Sequence, residues 1–253
     1  MAKVHRLQSE ENFDDWTEER DIATISKSLS STINIKCKSV AQKTVVNAID
    51  ENIISIITGP PGTGKTYLAC ARALKYIKED PGTYKKIILI KSVNVPRDEE
   101  IGFLKGTLQE KMEMFMYPFF SNFHKVIGKA NTTILRDMGV IETLPIKFAL
   151  GVTLDNSIII IDEAQQISKD NLRTLITRIG YGAKMIFLGD IKQKSVNKRN
   201  KSALEILTEY FNDIEDIACV ELQKKDIVRH PIIKKIETMF EKIESSEQLN
   251  GSK

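Results

Sequence analysis

The sequence predicts an α/β fold in which a mostly parallel sheet is flanked by helices on both faces. Short runs of consecutive apolar residues recur along the chain, and segments with apolar residues at helical spacing separate them. A strand that is apolar at every position is covered on both faces, which is typical of parallel sheets. The expected fold class is therefore a doubly wound α/β domain.

The predicted elements follow one another from residue 39. The segment "SVAQKTVVNAI" (39–49) has apolar residues at helical spacing, and "NIISIIT" (52–58) is a β-branched run that ends at Gly-Pro-Pro-Gly. We therefore expect a helix followed by a buried strand. Later strands are predicted around Ile87, Ile160 and Phe187, and a fifth over 217–222.

Polar sequence at both ends limits the predicted domain. Residues 1–38 are expected to form an N-terminal extension that is partly ordered at best, and residues 244–253 a flexible tail. The domain itself is predicted over 39–243. A length of 253 residues fits one α/β domain with such extensions.

The composition argues against several classes of protein. With 42% hydrophobic and 28% charged residues, the chain is typical of a globular protein. No apolar stretch approaches the roughly 20 residues of a membrane span, so we expect a cytoplasmic protein without a membrane partner. Three scattered cysteines and three scattered histidines predict neither a disulfide framework nor a metal site built from them. A net charge of +3 does not by itself indicate nucleic-acid binding.

The segment "GPPGTGKT" (59–66) matches the pattern GxxxxGK[ST] and lies between a predicted strand and a predicted helix. Glycines at such positions let backbone N–H groups surround phosphate oxygens at the start of a helix. Lys65 is expected to reach the β- and γ-phosphates, and the Thr66 hydroxyl to bind Mg²⁺. The predicted nucleotide contacts here are Gly59, Pro60, Pro61, Gly62, Thr63, Gly64, Lys65, Thr66 and Tyr67.

Two carboxylates follow the strand predicted around Ile160, in "IIIIDEAQ". Asp162 is suited to binding Mg²⁺, directly or through water, and Glu163 to polarising a water toward the γ-phosphate. The pair favours hydrolysis over binding alone, whereas the alternative is a strand that ends in acidic surface residues.

Two glutamines are further candidates. Gln193, just past the next predicted strand, is placed to contact the γ-phosphate, with Asp190 near Mg²⁺ or orienting that glutamine. A plain turn is the alternative. Gln42, on the first predicted helix, could pair with adenine and so favour ATP over GTP, or it could be a solvated helix residue. No "NKxD"-like guanine-binding motif follows the strands.

At this point the chain resembles the PhoH family of ATPases. The resemblance is carried, in order, by "GPPGTGKTYLA", "IGFLKGTLQEKM" (101–112), "IIIIDEAQ", "LITRIGYGAKMIFLGDIKQ" (175–193) and "DIVRHPIIKKI" (226–236). It implies a three-layer RecA-like P-loop NTPase fold and Mg²⁺-dependent ATP hydrolysis. For some relatives fused to a ribonuclease domain, it also implies ATP-driven RNA unwinding. Lys91-Ser92 and "KSAL" (201–204) depart from the family pattern, which puts the coupling to a substrate in doubt.

A RecA-like helicase closes its ATP site with an arginine from a second lobe, and only one lobe is predicted here. We therefore expect a homo-oligomeric ring in which a neighbouring subunit supplies that arginine. The candidates for contacting the γ-phosphate are Arg229, Arg178 and Arg199, each of which could instead form a surface salt bridge. The family resemblance makes a hexamer the ring size to test.

Two other segments indicate partner surfaces. The run "IKQKSVNKRNKS" (191–202) carries five cations and no acidic residue, which favours a nucleic-acid backbone, although a solvated basic loop is the alternative. The segment "MEMFMYPFF" (112–120) indicates core or a subunit interface more than a surface for base stacking.

These features predict an ATPase with Mg²⁺ as cofactor, coupled to RNA or single-stranded DNA as a helicase or translocase. The alternative is an ATP-gated assembly or regulatory module that acts on a protein partner. A small-molecule kinase is a third interpretation, but it would not need the carboxylate pair followed by a glutamine.

Overall fold

The computed structural model describes residues 23–30, 33–92, 108–193 and 201–250. Several predicted features lie wholly or partly outside them: the first 22 residues, most of the segment 101–112, residues 194–200 of the basic run with Arg199, and the last three residues.

A single sheet of six parallel strands forms the centre of the described structure, in the order β3-β2-β4-β5-β1-β6. The strands are β1 (Ile54–Thr58), β2 (Lys86–Lys91), β3 (Ile141–Thr143), β4 (Ser157–Asp162), β5 (Lys184–Gly189) and β6 (Ile217–Glu221). The predicted three-layer RecA-like P-loop fold is confirmed, and so are the five predicted strands. β3 was not predicted, because a strand of three residues is too short to form an apolar run.

Helices connect the strands. They are α1 (23–28), α2 (Val40–Glu51), α3 (Lys65–Glu79), α4 (Leu108–Asp137), α5 (Ile146–Ala149), α6 (Lys169–Ile176), α7 (Ala203–Tyr210) and α8 (Ile232–Asn250), with 3₁₀ turns at Ala164–Gln166 and Lys224–Asp226. The long α4 bends at Gly128, whose φ is 81°. Among the described residues, none of these helices is both long and apolar enough to cross a membrane.

Two apolar clusters cover the two faces of the sheet. On β4, Ile158 and Ile160 face the cluster that α2, α3 and α4 complete. Their neighbours Ile159 and Ile161 face the other cluster, which includes residues of α5, α6 and α7. All four isoleucines are fully buried, because each face of the central strand lies under a helical layer.

The aromatic segment of α4 has a buried side and an exposed side. Met116, Phe119 and Phe120 pack into the core, as the sequence analysis favoured. Met114 and Tyr117 lie on the opposite side and are more than half exposed.

Described residues of both predicted extensions take part in the fold. Leu29 and Ile33 are buried in the cluster under α2 and α3, although they belong to the predicted N-terminal extension. At the other end, α8 continues to Asn250, past the predicted start of the tail at 244. Its last residues are rich in Glu, Gln and Leu, which favour helix.

Candidate nucleotide-binding site

The phosphate loop lies between β1 and α3, at the carboxyl edge of the sheet. Gly59, Gly62 and Gly64 have φ angles of 139°, 83° and 93°, a region that other residues enter only with strain. Within the loop, the Thr63 hydroxyl donates to the Pro60 carbonyl over 2.9 Å. The glycines therefore adopt the backbone conformation that the sequence motif predicts.

The helix that follows the loop begins without a capping side chain. Its N-cap is Gly64, whereas α2, α6 and α7 each follow an N-cap serine whose side chain accepts a backbone N–H. The first N–H groups of α3 therefore lack a side-chain acceptor at the positive end of a 15-residue helix. A phosphate is the kind of ligand that these donors favour.

Lys65 folds back over the loop. Its Nζ donates to the carbonyl oxygens of Gly59, at 2.5 Å, and Pro60, at 3.0 Å. Burial lowers the pKa of Lys65, and the carboxylates of Asp190 and Asp162 oppose that shift. An arriving phosphate would give the ammonium group a charged partner in place of two neutral carbonyls.

Thr66 and Asp162 meet across the site. The Thr66 hydroxyl donates to Asp162 Oδ2 over 3.4 Å, which places the end of β4 beside the start of α3. Mg²⁺ prefers oxygen ligands and is commonly bound by one or two protein groups together with water and substrate phosphates. A hydroxyl and a carboxylate in contact fit that ion. No cluster of three or more His, Cys, Asp or Glu side chains suited to a metal occurs among the described residues.

Asp162 is a costly group to keep ionised in this position. Burial raises the pKa of Asp162, the nearby charge of Glu163 raises it further, and the Glu163 N–H, which donates to Asp162 Oδ1 over 3.0 Å, opposes the shift. Because the folded pKa is above the unfolded value, ionisation favours the unfolded chain, and this cost disappears below the unfolded pKa of about 3.9.

We therefore expect Asp162→Asn to raise the unfolding midpoint of the ligand-free protein at pH 7 by a few degrees. In a domain of this size, about 1 kcal/mol corresponds to roughly 2–4 °C. The gain should shrink toward pH 4, and added MgATP should stabilise the variant less than the parent protein. Thermal melts at both pH values, with and without MgATP, measure this. An unchanged or lower midpoint at pH 7 would contradict the expected cost.

Glu163 follows β4 in a left-handed conformation, with φ of 55°. Its carboxylate lines the same pocket as Lys65 and Thr66. Gln165 donates from Nε2 to Glu163 Oε2 over 2.7 Å. Gln165 is the last residue of the motif "IIIIDEAQ", and no role was predicted for it. The motif was the one signal available, because the contact forms through a 3₁₀ turn whose geometry a sequence pattern does not show.

Asp190 and Gln193 belong to the turn after β5, and both line the pocket. Asp190 is buried, its carboxylate accepts the Lys192 N–H at 3.0 Å, and burial raises the pKa of Asp190. The Gln193 N–H donates to the Asp190 carbonyl over 3.2 Å, and its side chain is exposed at the pocket. The structure therefore brings this predicted pair to the phosphate loop.

The candidate arginines have different locations. Arg229 lines the pocket of its own chain, and the adjacent Val228 N–H donates to the Gly62 carbonyl over 3.0 Å. Arg178 precedes β5, where its carbonyl accepts the Leu154 N–H at 2.8 Å, at the amino edge of the sheet. A strand of six residues spans about 20 Å, so Arg178 lies far from its own phosphate loop. Arg199 is outside the described residues.

Gln42 is buried, with 3% of its surface exposed, so it is not a solvated helix residue. Its Nε2 donates to the Thr63 carbonyl over 2.8 Å, and its Oε1 accepts the Lys38 N–H at 2.6 Å. Gln42 thus supports the phosphate loop from α2, and a contact with adenine stays a prediction.

The pocket above the loop has a volume of about 640 Å³. Tyr67 and Pro61 line it, while Pro60 lines a smaller neighbouring cavity, and their contacts with a nucleotide stay predictions. Five residues without a predicted role at the site also line it: Lys36, Lys38, Lys91, Asn122 and Lys125. Among the described lining residues there are six cations and three carboxylates, and that excess favours a polyphosphate ligand.

The fold and the site together define a nucleotide-binding protein of the P-loop NTPase class. Within that class, the chain belongs to the PhoH-like protein family, whose model matches residues 34–241.

Among relatives named PhoH-like protein, the chain is 37% identical to one from Bacillus subtilis over 242 residues, covering 96% of this chain and 72% of that protein. It is 32% identical to one from Synechocystis, covering 84% of this chain and 64% of that protein. It is 35% identical to one from Mycobacterium bovis, covering 83% and 59% respectively. The chain therefore spans less than two thirds of the length of the last two relatives.

Solved structures are similar at lower identity. The large terminase of a thermophilic bacteriophage matches with a TM-score of 0.46 at 12% identity, covering 79% of this chain and 49% of that one. The Pif1 helicase from Candida albicans matches with a TM-score of 0.38 at 14% identity, covering 75% and 41%.

Proposed function

We propose that this protein hydrolyses ATP with Mg²⁺. The observation that carries the proposal is the position of Asp162 and Glu163 beside Lys65 and Thr66 in one pocket. A site that only binds a nucleotide needs the phosphate loop but no catalytic base. A second carboxylate at the same pocket provides a base for an attacking water.

Each residue has one task in this proposal. Lys65 leaves the loop carbonyls and binds the β- and γ-phosphates, and Glu163 accepts the proton of the attacking water. Thr66 and Asp162 hold Mg²⁺, which supplies positive charge to the phosphates when bound. Gln193 contacts the γ-phosphate from the turn after β5.

We assign Arg229 to the γ-phosphate of the ATP bound in its own subunit. Arg229 lines the pocket above the phosphate loop, and the backbone N–H of the adjacent Val228 bonds the Gly62 carbonyl. Arg178 stays the candidate for reaching the site of a neighbouring subunit. Arg178 lies at the end of the sheet opposite to the phosphate loop. A head-to-tail ring joins two different surfaces of neighbouring subunits, so this end of one subunit can meet the nucleotide site of the next. The ring, with a hexamer as the size to test, is part of the proposal.

Coupling to RNA or single-stranded DNA is the finer part of the proposal. Lys192, the first cation of the basic run, lies in the same turn as Asp190 and Gln193, so a nucleic-acid strand bound at Lys192 would lie next to the γ-phosphate contact. We also propose a cytoplasmic location, because no apolar stretch in this sequence approaches the roughly 20 residues of a membrane span.

The alternative, an ATP-gated assembly or regulatory module, is favoured by α8. Five apolar side chains at helical spacing are about half exposed on it: Ile232, Ile236, Met239, Phe240 and Ile243. Glu241 of the same helix binds Lys192 Nζ at 3.1 Å and Lys224 Nζ at 2.7 Å. A change in the turn after β5 would therefore reach an apolar surface suited to a protein partner.

Steady-state ATP hydrolysis with and without single-stranded RNA or DNA, over a series of salt concentrations, tests the proposal. We expect Mg²⁺-dependent hydrolysis that polynucleotide stimulates at low salt and no longer stimulates at high salt. Hydrolysis indifferent to polynucleotide, with an oligomer that forms only with ATP in light scattering, would favour the alternative. Absence of hydrolysis under every condition would contradict the proposed ATPase.

A further inference from the structure

Gln165 connects two parts of the site that the chain brings together from different strands. It lies in the 3₁₀ turn after β4 and has 5% of its surface exposed. Its Nε2 donates to Glu163 Oε2 over 2.7 Å, and its Oε1 accepts the Asp190 N–H at 3.2 Å. The buried amide of Gln165 therefore bridges the proposed base, Glu163, and the turn after β5.

The chemistry of the partners fixes the orientation of that amide. A carboxylate oxygen can only accept, and a backbone N–H can only donate, so one orientation satisfies both bonds. Gly189 makes room for it, because a Cβ atom there would lie 2.2 Å from Gln165 Oε1. A glutamine side chain supplies both a donor and an acceptor at the required length, whereas a glutamate lacks the donor.

The bond to Glu163 restrains a residue that would otherwise be free to turn. Glu163 already has the left-handed φ of 55°, and Gln165 occupies Oε2 of its carboxylate. Oε1 and the second lone pair of Oε2 are then available to accept a proton from water. At its far end, the amide bonds the first residue of the turn that carries Gln193.

We propose that Gln165 is a positioning residue that holds the Glu163 carboxylate in register with the turn bearing Gln193, so that the base and the γ-phosphate contact keep one relative geometry. The inference rests on the proposed ATP hydrolysis. Loss of the amide should lower the rate of the chemical step and leave ATP binding intact, because no atom of Gln165 is assigned to the nucleotide.

The test is Gln165→Met, whose unbranched side chain of similar length fills the space without either hydrogen bond. We expect kcat to fall by about 10–100-fold, in the range that misplacement of a catalytic group produces, with KM and ATP affinity within about twofold of the parent protein. Gln166→Met, the same change one residue later, is the matched control and should keep its kcat. Gln165→Glu keeps the acceptor for the Asp190 N–H and loses the donor, and it should lose kcat as well.

A double-mutant comparison separates positioning from a general structural role. If Gln165 acts through Glu163, then Gln165→Met should cost no further rate once Glu163→Gln is present. If the rate losses of the two single variants multiplied in the double variant, the inference would be overturned. A parent-like kcat for Gln165→Met would overturn it as well. A parent protein that does not hydrolyse ATP would instead contradict the proposed function. Thermal melts of each variant confirm that kcat is compared between folded proteins, and if Gln165→Met does not fold, Gln165→Glu decides by the same outcomes.

Discussion

Glu163→Gln is expected to lower kcat for ATP hydrolysis by about 10²–10⁴-fold, which is the range that general-base catalysis contributes. The amide has nearly the shape of the carboxylate but cannot accept a proton from water at neutral pH. ATP binding should persist, because Lys65 and the loop glycines do not depend on Glu163 for their backbone geometry. Single-turnover hydrolysis together with equilibrium binding of ATP measures the two effects separately.

The matched control is Glu142→Gln. Glu142 is a glutamate of the same sheet, on the edge strand β3, where it pairs with Lys86 at 3.3 Å on the surface. Its replacement should leave kcat within about twofold, since an exposed ion pair contributes little even to stability. If Glu163→Gln retained a kcat close to the parent value, another group would have to activate the water, and the assignment of the base would be wrong.

Gly59→Ala is expected to destabilise the fold and to abolish nucleotide binding. A Cβ atom there would lie 2.3 Å from the Leu222 carbonyl oxygen, and the φ of 139° is strained for any residue other than glycine. Backbone strain and overpacking each cost about 1–3 kcal/mol, and their sum should lower the unfolding midpoint by roughly 5–15 °C. The midpoint and ATP binding are measured on the same preparation.

Gly82→Ala provides the comparison. The nearest atom to a Cβ atom at Gly82 is Asp80 Oδ1 at 3.8 Å, which is an ordinary contact. This variant should melt within about 2 °C of the parent protein and bind ATP normally, because the exposed turn can accept a methyl group. Equal midpoints for Gly59→Ala and the parent protein would show that the phosphate loop can move away from Leu222, which the described packing does not allow.

Sequence patterns predicted the parts of this protein that depend on neighbours along the chain. The apolar runs gave five strands, and "GPPGTGKT" gave the loop whose three glycines have positive φ. In each case the pattern of residue types that allows the prediction spans only a few neighbouring positions in the sequence. The pairing of Thr66 with Asp162 could also be predicted, because Asp162 ends β4 and Thr66 follows the loop after β1, and the carboxyl ends of parallel strands meet at the same edge of the sheet.

Other features of the site depend on tertiary contacts between segments that are distant in the sequence. Arg229 was one of three candidate arginines for the γ-phosphate, and the sequence did not indicate in which subunit's site it lies. Because β6 pairs with β1, the chain after β6 lies against Gly62 of the same molecule. Gln42 lies on the buried face of α2 with Val45 and Ile49, but its bond to the Thr63 carbonyl joins residues 21 positions apart, which the pattern of the helix does not show. The cations Lys36, Lys38 and Lys125 reach the pocket from segments that no local pattern relates to the phosphate loop.

The position of β6 has a consequence for biosynthesis. β1 lies between β5 and β6, so the strand that leads into the phosphate loop gains its last partner about 160 residues after it is made. Leu222 packs on Gly59, and the Val228 N–H bonds Gly62, only after that pairing. Contacts of such long sequence separation form late, because the chain between them must close first. The nucleotide site is thus one of the last parts of the domain to be completed as the chain leaves the ribosome, and nascent chains that end before β6 should not retain ATP.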